Sequence, residues 1–148
     1  MGIYIGTDDL KRILGDITYD YWVKASNSRV ISKYWNFADE AYYLPANAEI
    51  IKIVKSNPVK KPKIDNESFD CDDYSFVLKG LICSHTRDFL RVEHSMCFGI
   101  AWGEFGWADG YHCCNWVFDS DENFRWVEPC DGSFHPIEGC RELKLLLV

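Results

Sequence analysis

The segment Asp70-Cys71-Asp72-Asp73-Tyr74-Ser75-Phe76-Val77-Leu78-Lys79-Gly80-Leu81 carries the pattern that decides the fold. Its apolar residues recur at the spacing of one face of an α-helix: Tyr74, Val77, Leu78 and Leu81. Asp70 is a good N-cap, and Asp73, three residues later, completes a capping box. The segment therefore predicts a helix that begins just after Asp70 and places Cys71 in its first turn.

The flanking regions predict helices before this segment and strands after it. Capping residues and apolar spacing predict helices over 7–15 and 46–56, and turn-forming residues predict a loop over 57–68. Alternating apolar residues predict strands over 95–102, 111–118 and 124–128. Helices followed by an antiparallel sheet indicate one α+β domain over residues 1–148, with a helical part at about 1–90 and a sheet part at about 91–148.

Composition excludes several classes of protein. The 148 residues are 47% hydrophobic, which suits one domain with a sizeable core. A net charge of −7 argues against a nucleic-acid partner, and no stretch is apolar enough to predict a membrane segment or a secretory signal. The seven cysteines are odd in number, which favours free thiols in a reducing, cytoplasmic compartment.

Three residues form a candidate catalytic set. A helix N-terminus favours the thiolate of Cys71, since its dipole and free N–H groups stabilise negative charge. If the turn between the second and third predicted strands is centred on Ser120, His112 lies directly opposite Glu128. A thiol, an imidazole base and a carboxylate that orients the imidazole are the parts of a thiol hydrolase. A register slip of one residue would separate His112 from Glu128.

Other interpretations of the same residues compete with this set. A cysteine at a helix start is usually structural. Asn115 is a rival for orienting the imidazole, but it is expected on the strand face opposite to His112. A zinc site is the third alternative, although no C-x-x-C pair is present; its candidate ligands are His112, Cys113, Cys114, Cys130 and Cys140.

Two acidic residues follow the candidate nucleophile. Asp72 and Asp73 complement the helix dipole, yet their charge should raise the pKa of Cys71. Their carboxylates are also candidate ligands for calcium, which prefers oxygen donors.

The three motifs together resemble a known family. Phe69-Asp70-Cys71-Asp72-Asp73-Tyr74-Ser75, Gly110-Tyr111-His112-Cys113-Cys114-Asn115 and Trp126-Val127-Glu128-Pro129 are similar to a papain-like cysteine peptidase family whose best-known member is the C-terminal domain of a mushroom galactose-binding agglutinin. Small phage and bacterial proteins share the pattern. The resemblance implies a papain-like or transglutaminase-like fold, with Cys71 as nucleophile, His112 as base and Glu128 as orienting group.

The resemblance also bears on cofactors and on the oxyanion. The fungal domain depends on calcium, but Cys130 stands here where the family has Gln, so no cofactor is expected to be required and calcium remains a candidate. The chain contains no Gln, so the backbone N–H of Cys71 is the expected oxyanion donor, with Asn66, Ser68 or a Trp or Tyr from 34–43 as a second donor.

The predicted function is therefore a thiol protease or amidase, a cysteine hydrolase that uses a catalytic triad to cleave a peptide or related amide bond. Its partner would be a peptide or protein substrate, and its location the cytoplasm, including that of an infected host cell. The alternative is a non-catalytic binding or virion-associated module that retains the papain-like fold.

Overall fold

Three α-helices, eight strands and a few shorter helical turns form the part of the chain that this computed structural model describes, which is residues 2–21, 35–59, 70–108 and 110–148. The helices are α1 (Thr7–Thr18), α2 (Asn47–Ser56) and α3 (Cys71–His85). The strands are β1 (Ile3–Gly6), β2 (Trp35–Asn36), β3 (Ala41–Leu44), β4 (Phe98–Phe105), β5 (Tyr111–Phe118), β6 (Phe124–Val127), β7 (Phe134–Pro136) and β8 (Cys140–Leu147). Within these ranges no helix is both long and apolar enough to cross a membrane.

A six-stranded sheet organises the domain, in the order β2-β8-β4-β5-β6-β7. Its neighbours are antiparallel except for β2 and β8, which pair in parallel. A separate two-stranded sheet joins β1 to β3. The strands β4, β5 and β8 form the longest ladders, and they lie at the centre of the large sheet.

Each face of the large sheet covers its own apolar core. On the face covered by α3, here called the helix face, Val117 packs with Leu78 and Ile82. On the opposite face, here called the aromatic face, Trp116 packs with Trp126 and with Leu10 of α1. Because side chains alternate along a strand, neighbouring residues of β5 belong to different cores.

The predicted helices and strands are largely confirmed. Helix α3 begins at Cys71, and β5 has the predicted bounds. Helix α1 continues through Gly15 to Thr18, and β4 begins three residues later than predicted, at Phe98. Of the predicted loop over 57–68, residues 60–69 lie outside the described residues.

Two features of the predicted architecture are wrong. Strands β1, β2 and β3 lie in the region predicted to be helical, and β2 makes the large sheet mixed rather than antiparallel. These strands are too short to show an apolar repeat, and β2 pairs with β8, which is distant in sequence. The coarser prediction, a domain of helices and a large sheet, is confirmed.

The predicted hairpin register is also wrong, by two residues. Phe118 lies opposite Phe124, and Trp116 lies opposite Trp126, so the ladder ends before His112. A shift of two residues keeps every side chain on its face, because the side-chain repeat of a strand is two. His112 and Glu128 therefore still share one face of the sheet.

Candidate functional site

A capping box starts helix α3. The side chain of Asp70 accepts a hydrogen bond from the backbone of Asp73, and the backbone N of Asp70 donates to Oδ2 of Asp73 at 3.2 Å. Both groups satisfy N–H donors that a helix end otherwise leaves unpaired. The box fixes the first turn and places Cys71 at the first helical position, as predicted.

The thiol of Cys71 lies against the start of β5. Its Sγ accepts a hydrogen bond from the backbone N of Cys113 at 3.4 Å. Burial raises the pKa of the Cys71 thiol; the Cys113 N–H acts against this, and the carboxylates of Asp70 and Asp72 raise the pKa further. Burial and the two carboxylates thus disfavour the thiolate in this arrangement.

His112 and Glu128 form a close pair on the aromatic face. Nε2 of His112 lies 2.6 Å from Oε2 of Glu128, and both side chains are largely buried. The other carboxylate oxygen of Glu128 accepts a hydrogen bond from the backbone N of Cys130 at 3.1 Å. Burial raises the pKa of Glu128, but His112 and Cys130 outweigh it, so the pKa lies below its ordinary value.

A tight turn after β6 holds the carboxylate in place. The backbone N of Glu128 donates to the carbonyl of Ser133 at 2.9 Å, and Gly132 N donates to the carbonyl of Glu128 at 2.8 Å. Gly132 has a φ of 74°, a left-handed conformation that glycine adopts without strain. Glu128 is thus fixed by its backbone as well as by its side chain.

The His112–Glu128 pair borders an open cleft of about 460 Å³, here called the His112 cleft. It is lined by Trp107, Ala108, His112, Glu128, Cys130, Asp131, Ser133 and His135. The rings of Trp107 and His135 stack at 4.1 Å, and Ser133 Oγ lies 2.9 Å from His135 Nε2. Sequence reasoning missed Trp107, Asp131, Ser133 and His135, because nothing in their spacing indicates that the chain returns to His112.

Cys71 lies beside this pair, at the backbone of β5. The His112 ring lies edge-on to Phe105 on the aromatic face, whereas α3 covers the helix face. The Cys71 sulfur contacts the N–H of the peptide that joins His112 to Cys113. The structure therefore pairs His112 with Glu128 directly and places Cys71 at the adjoining backbone, and the three-residue set as a catalytic unit stays a prediction. Asn115 is on the helix face, as expected.

The predicted metal ligands fit a metal poorly. Among the described residues, a close group of metal-binding side chains occurs at Asp70, Cys71 and Asp72, within 4.8 Å of one another. It includes neither Asp73, which is engaged in the capping box, nor any of the five candidate zinc ligands. Two carboxylates and a thiol are too few oxygen donors for calcium, which takes six to eight. The predicted oxyanion donors Asn66 and Ser68 lie outside the described residues.

Comparison with known proteins identifies a matching family and two similar structures. The family model described as "Agglutinin C-terminal" matches residues 42–134. The structure described as the PSL1a-E64 complex is similar with a TM-score of 0.77 at 17% identity, covering 98% of this chain and 51% of that one. A Polyporus squamosus lectin bound to the glycan Neu5Aca2-6Galb1-4GlcNAc has a TM-score of 0.73 at 17% identity, with 98% and 49% covered. This chain thus spans about half the length of each, and no curated protein matches it by sequence.

These findings confirm the predicted resemblance to the C-terminal domain of a mushroom agglutinin and correct the predicted activity. The matched family is an agglutinin family and one structural neighbour is a lectin, so the identification as a hydrolase of the papain-like cysteine peptidase class is wrong. The likeness in fold is to agglutinin-type proteins, and the papain-like assignment is not shown. The model match covers well over half of the residues and includes both Cys71 and Glu128. The chain belongs to the agglutinin C-terminal family.

Proposed function

We propose that this domain is a non-catalytic binding module of the agglutinin type, and that it holds a carbohydrate, free or on a glycoprotein, in the His112 cleft. Membership of an agglutinin family supports a binding role. A lectin of the same fold supports a glycan as the ligand. The binding module was the alternative function predicted from the sequence, and a glycan takes the place of the peptide substrate.

The composition of the cleft carries this proposal. Its wall presents two carboxylates, from Glu128 and Asp131, and the hydroxyl of Ser133. Sugar hydroxyls both donate and accept hydrogen bonds, so they match carboxylates and hydroxyls that stand close together. A volume of about 460 Å³ lies within the usual range for small-molecule sites.

A calorimetric titration tests the proposal. The ligands are Neu5Aca2-6Galb1-4GlcNAc, which is the glycan named with the lectin, and its asialo disaccharide. We expect saturable binding that weakens about tenfold in Asp131→Asn, because a hydrogen bond to a charged group is lost. Asp131 is exposed, and Asn keeps an oxygen for the Ser133 backbone N–H that Asp131 Oδ1 now accepts.

The control is Asp121→Asn, an equally exposed change outside the cleft. Equal weakening by both variants would contradict the cleft as the site. Absence of binding to both glycans would contradict the sugar ligand.

The His112–Glu128 pair favours a second candidate function, covalent capture of an electrophilic ligand by Cys71. In this reaction the thiol proton passes to His112 and the sulfur forms a bond to the electrophilic carbon. The bond from that carbon to its departing oxygen breaks, and this oxygen takes up the proton from His112. Glu128 supports the protonated ring, since its carboxylate lies 2.6 Å from Nε2. The reaction requires the Cys71 side chain to leave its contact with Cys113 N.

Intact-mass spectrometry after incubation with E64, the compound named with PSL1a, tests this second function. The expected result is one adduct at Cys71, which is absent in Cys71→Ser and strongly reduced in His112→Ala. His85→Ala is the control, because His85 stacks on Phe89 at the far end of α3. No adduct, or adducts spread over several cysteines, would leave binding without covalent chemistry as the function.

A further inference from the structure

Asn115 joins three elements of the fold through one side chain. It is fully buried on the helix face of β5. Its Nδ2 donates to the carbonyl of Ser75 on α3 at 3.0 Å and to the carbonyl of Gly99 on β4 at 3.1 Å. Among the described residues its Oδ1 has no hydrogen-bond partner, although it is buried. Burial of an unpaired oxygen is unfavourable for folding. The stabilising contribution of the Asn115 side chain therefore comes from the two hydrogen bonds that its Nδ2 donates.

Ser75 is also hydrogen-bonded to Cys71. The hydroxyl of Ser75 donates to the carbonyl of Cys71 at 2.9 Å. Cys113 in turn donates its backbone N–H to the Cys71 sulfur. The start of α3 therefore contacts β5 at two points. The Cys71 sulfur accepts from Cys113 N, and the Ser75 carbonyl accepts from the Asn115 amide.

The two attachment points match in spacing. Cys71 and Ser75 are one helical turn apart, a rise of about 6 Å at 1.5 Å per residue. Cys113 and Asn115 are two residues apart on one strand face, about 6.6 Å at 3.3 Å per residue. The pairs Cys71–Cys113 and Ser75–Asn115 can therefore form together without bending either element.

We infer that Asn115 is a positioning residue that, through the carbonyl of Ser75, holds the first turn of α3 and the Cys71 sulfur against the peptide between His112 and Cys113. The placement itself rests on the contacts above. Any effect of Asn115 on covalent capture of a ligand rests on the second function proposed for Cys71. Loss of the Asn115 amide is expected to release the Cys71 thiol locally while the rest of the core stays closed.

Two readouts in the full chain without any ligand test this inference. Iodoacetamide labelling resolved by peptide mapping reports on Cys71, with the fully buried Cys97 as the reporter of global opening. Amide hydrogen exchange reports on the N–H of Cys113. In Asn115→Ala and in the isosteric Asn115→Asp, we expect labelling of Cys71 and exchange of Cys113 N–H to accelerate about tenfold, with Cys97 unchanged.

The matched control is Asn57→Ala, since Asn57 is also buried and its Oδ1 accepts a hydrogen bond from Val59 N, at the end of α2. It should leave Cys71 unchanged. Equal acceleration of Cys71 and Cys97 would overturn the inference, because Asn115 would then only stabilise the fold. Unchanged labelling in both Asn115 variants would overturn it as well.

A milder pair of variants covers the case in which the Asn115 variants do not fold. Ser75→Ala and Thr86→Val each delete a hydroxyl that donates to the carbonyl four residues earlier, near the start of α3 and just after its end. Only Ser75→Ala should accelerate Cys71, and equal effects would overturn the inference. Because no glycan takes part, failure of carbohydrate binding leaves this test intact.

Discussion

Nε2 of His112 lies 2.6 Å from Oε2 of Glu128, at the point where β5 begins and β6 has just ended. The two side chains share the aromatic face of the sheet although their backbones are outside the hydrogen-bonded ladder. Low exposure strengthens this hydrogen bond, because little water competes for either partner. The turn from Glu128 to Ser133, rather than strand pairing, holds the carboxylate there.

Removing the Glu128 carboxylate should destabilise the domain. In Glu128→Ala, the His112 ring and the Cys130 N–H lose a buried partner, so we expect the free energy of unfolding at pH 7 to fall by about 1 to 3 kcal/mol. Urea denaturation measures this change. Glu93→Ala, at an exposed glutamate, is the control and should unfold like the parent chain.

The same variant should reveal a pH dependence. Since the pKa of Glu128 is lower in the folded chain than in the unfolded chain, its stabilising contribution is complete above the unfolded-state pKa. That contribution is lost as the pH falls through the folded-state pKa. The stability difference between the parent chain and Glu128→Ala should therefore shrink from about pH 6 to about pH 3. If the stability difference between the two chains stayed constant over this pH range, His112 would not lower the pKa of Glu128.

Neutralising Asp72 should make the Cys71 thiol more acidic. Burial and the nearby carboxylates raise the pKa of Cys71 above its ordinary value of 9.0, and Asp72→Asn removes one of those charges. Alkylation of Cys71 at pH 7 should then be about twofold to fivefold faster, with the midpoint of its pH profile shifted downward. Asp88→Asn, on the exposed segment after α3, should leave the rate unchanged.

Replacement of two glycines by alanine should change the free energy of unfolding in opposite directions. A Cβ at Gly99 would lie 1.9 Å from the carbonyl oxygen of Leu147 and 2.3 Å from Nε1 of Trp116. We expect Gly99→Ala to lower the free energy of unfolding by at least about 3 kcal/mol, because the backbone of β8 cannot move aside. At Gly80 on α3 a Cβ meets no atom within 4 Å, so Gly80→Ala should raise it by about 0.5 to 1 kcal/mol. Thermal and urea unfolding of both variants decide this, and a stable Gly99→Ala chain would contradict the close β4–β8 contact.

Calcium is expected not to bind at the start of α3. Asp73 is committed to the capping box, and the remaining close group is two carboxylates with a thiol. Calorimetric titration with millimolar calcium should give no saturable heat, and the melting temperature should not change. Saturable binding that is lost in Asp72→Asn would restore the calcium site predicted from the sequence.

Local sequence patterns determined the start of α3 and the two faces of β5. The capping box and the helical apolar repeat depend on residues within a few positions of one another, so Asp70 and Asp73 alone place Cys71. Strand alternation likewise places His112 and Asn115 on opposite faces whatever the register. The pairing of His112 with Glu128 was predicted correctly even with the wrong register, because a shift of two residues preserves the face.

Only the tertiary structure decided which residues distant in sequence contact one another. The parallel β2–β8 pair, the stacking of His135 on Trp107 and the bonds from Asn115 to α3 and β4 join residues that are distant in sequence. No short-range periodicity encodes such contacts, since they arise from burying both faces of one sheet at once. The same reason explains why the His112 cleft, and the placement of Cys71 at the backbone beside His112, could not be predicted from the chain alone.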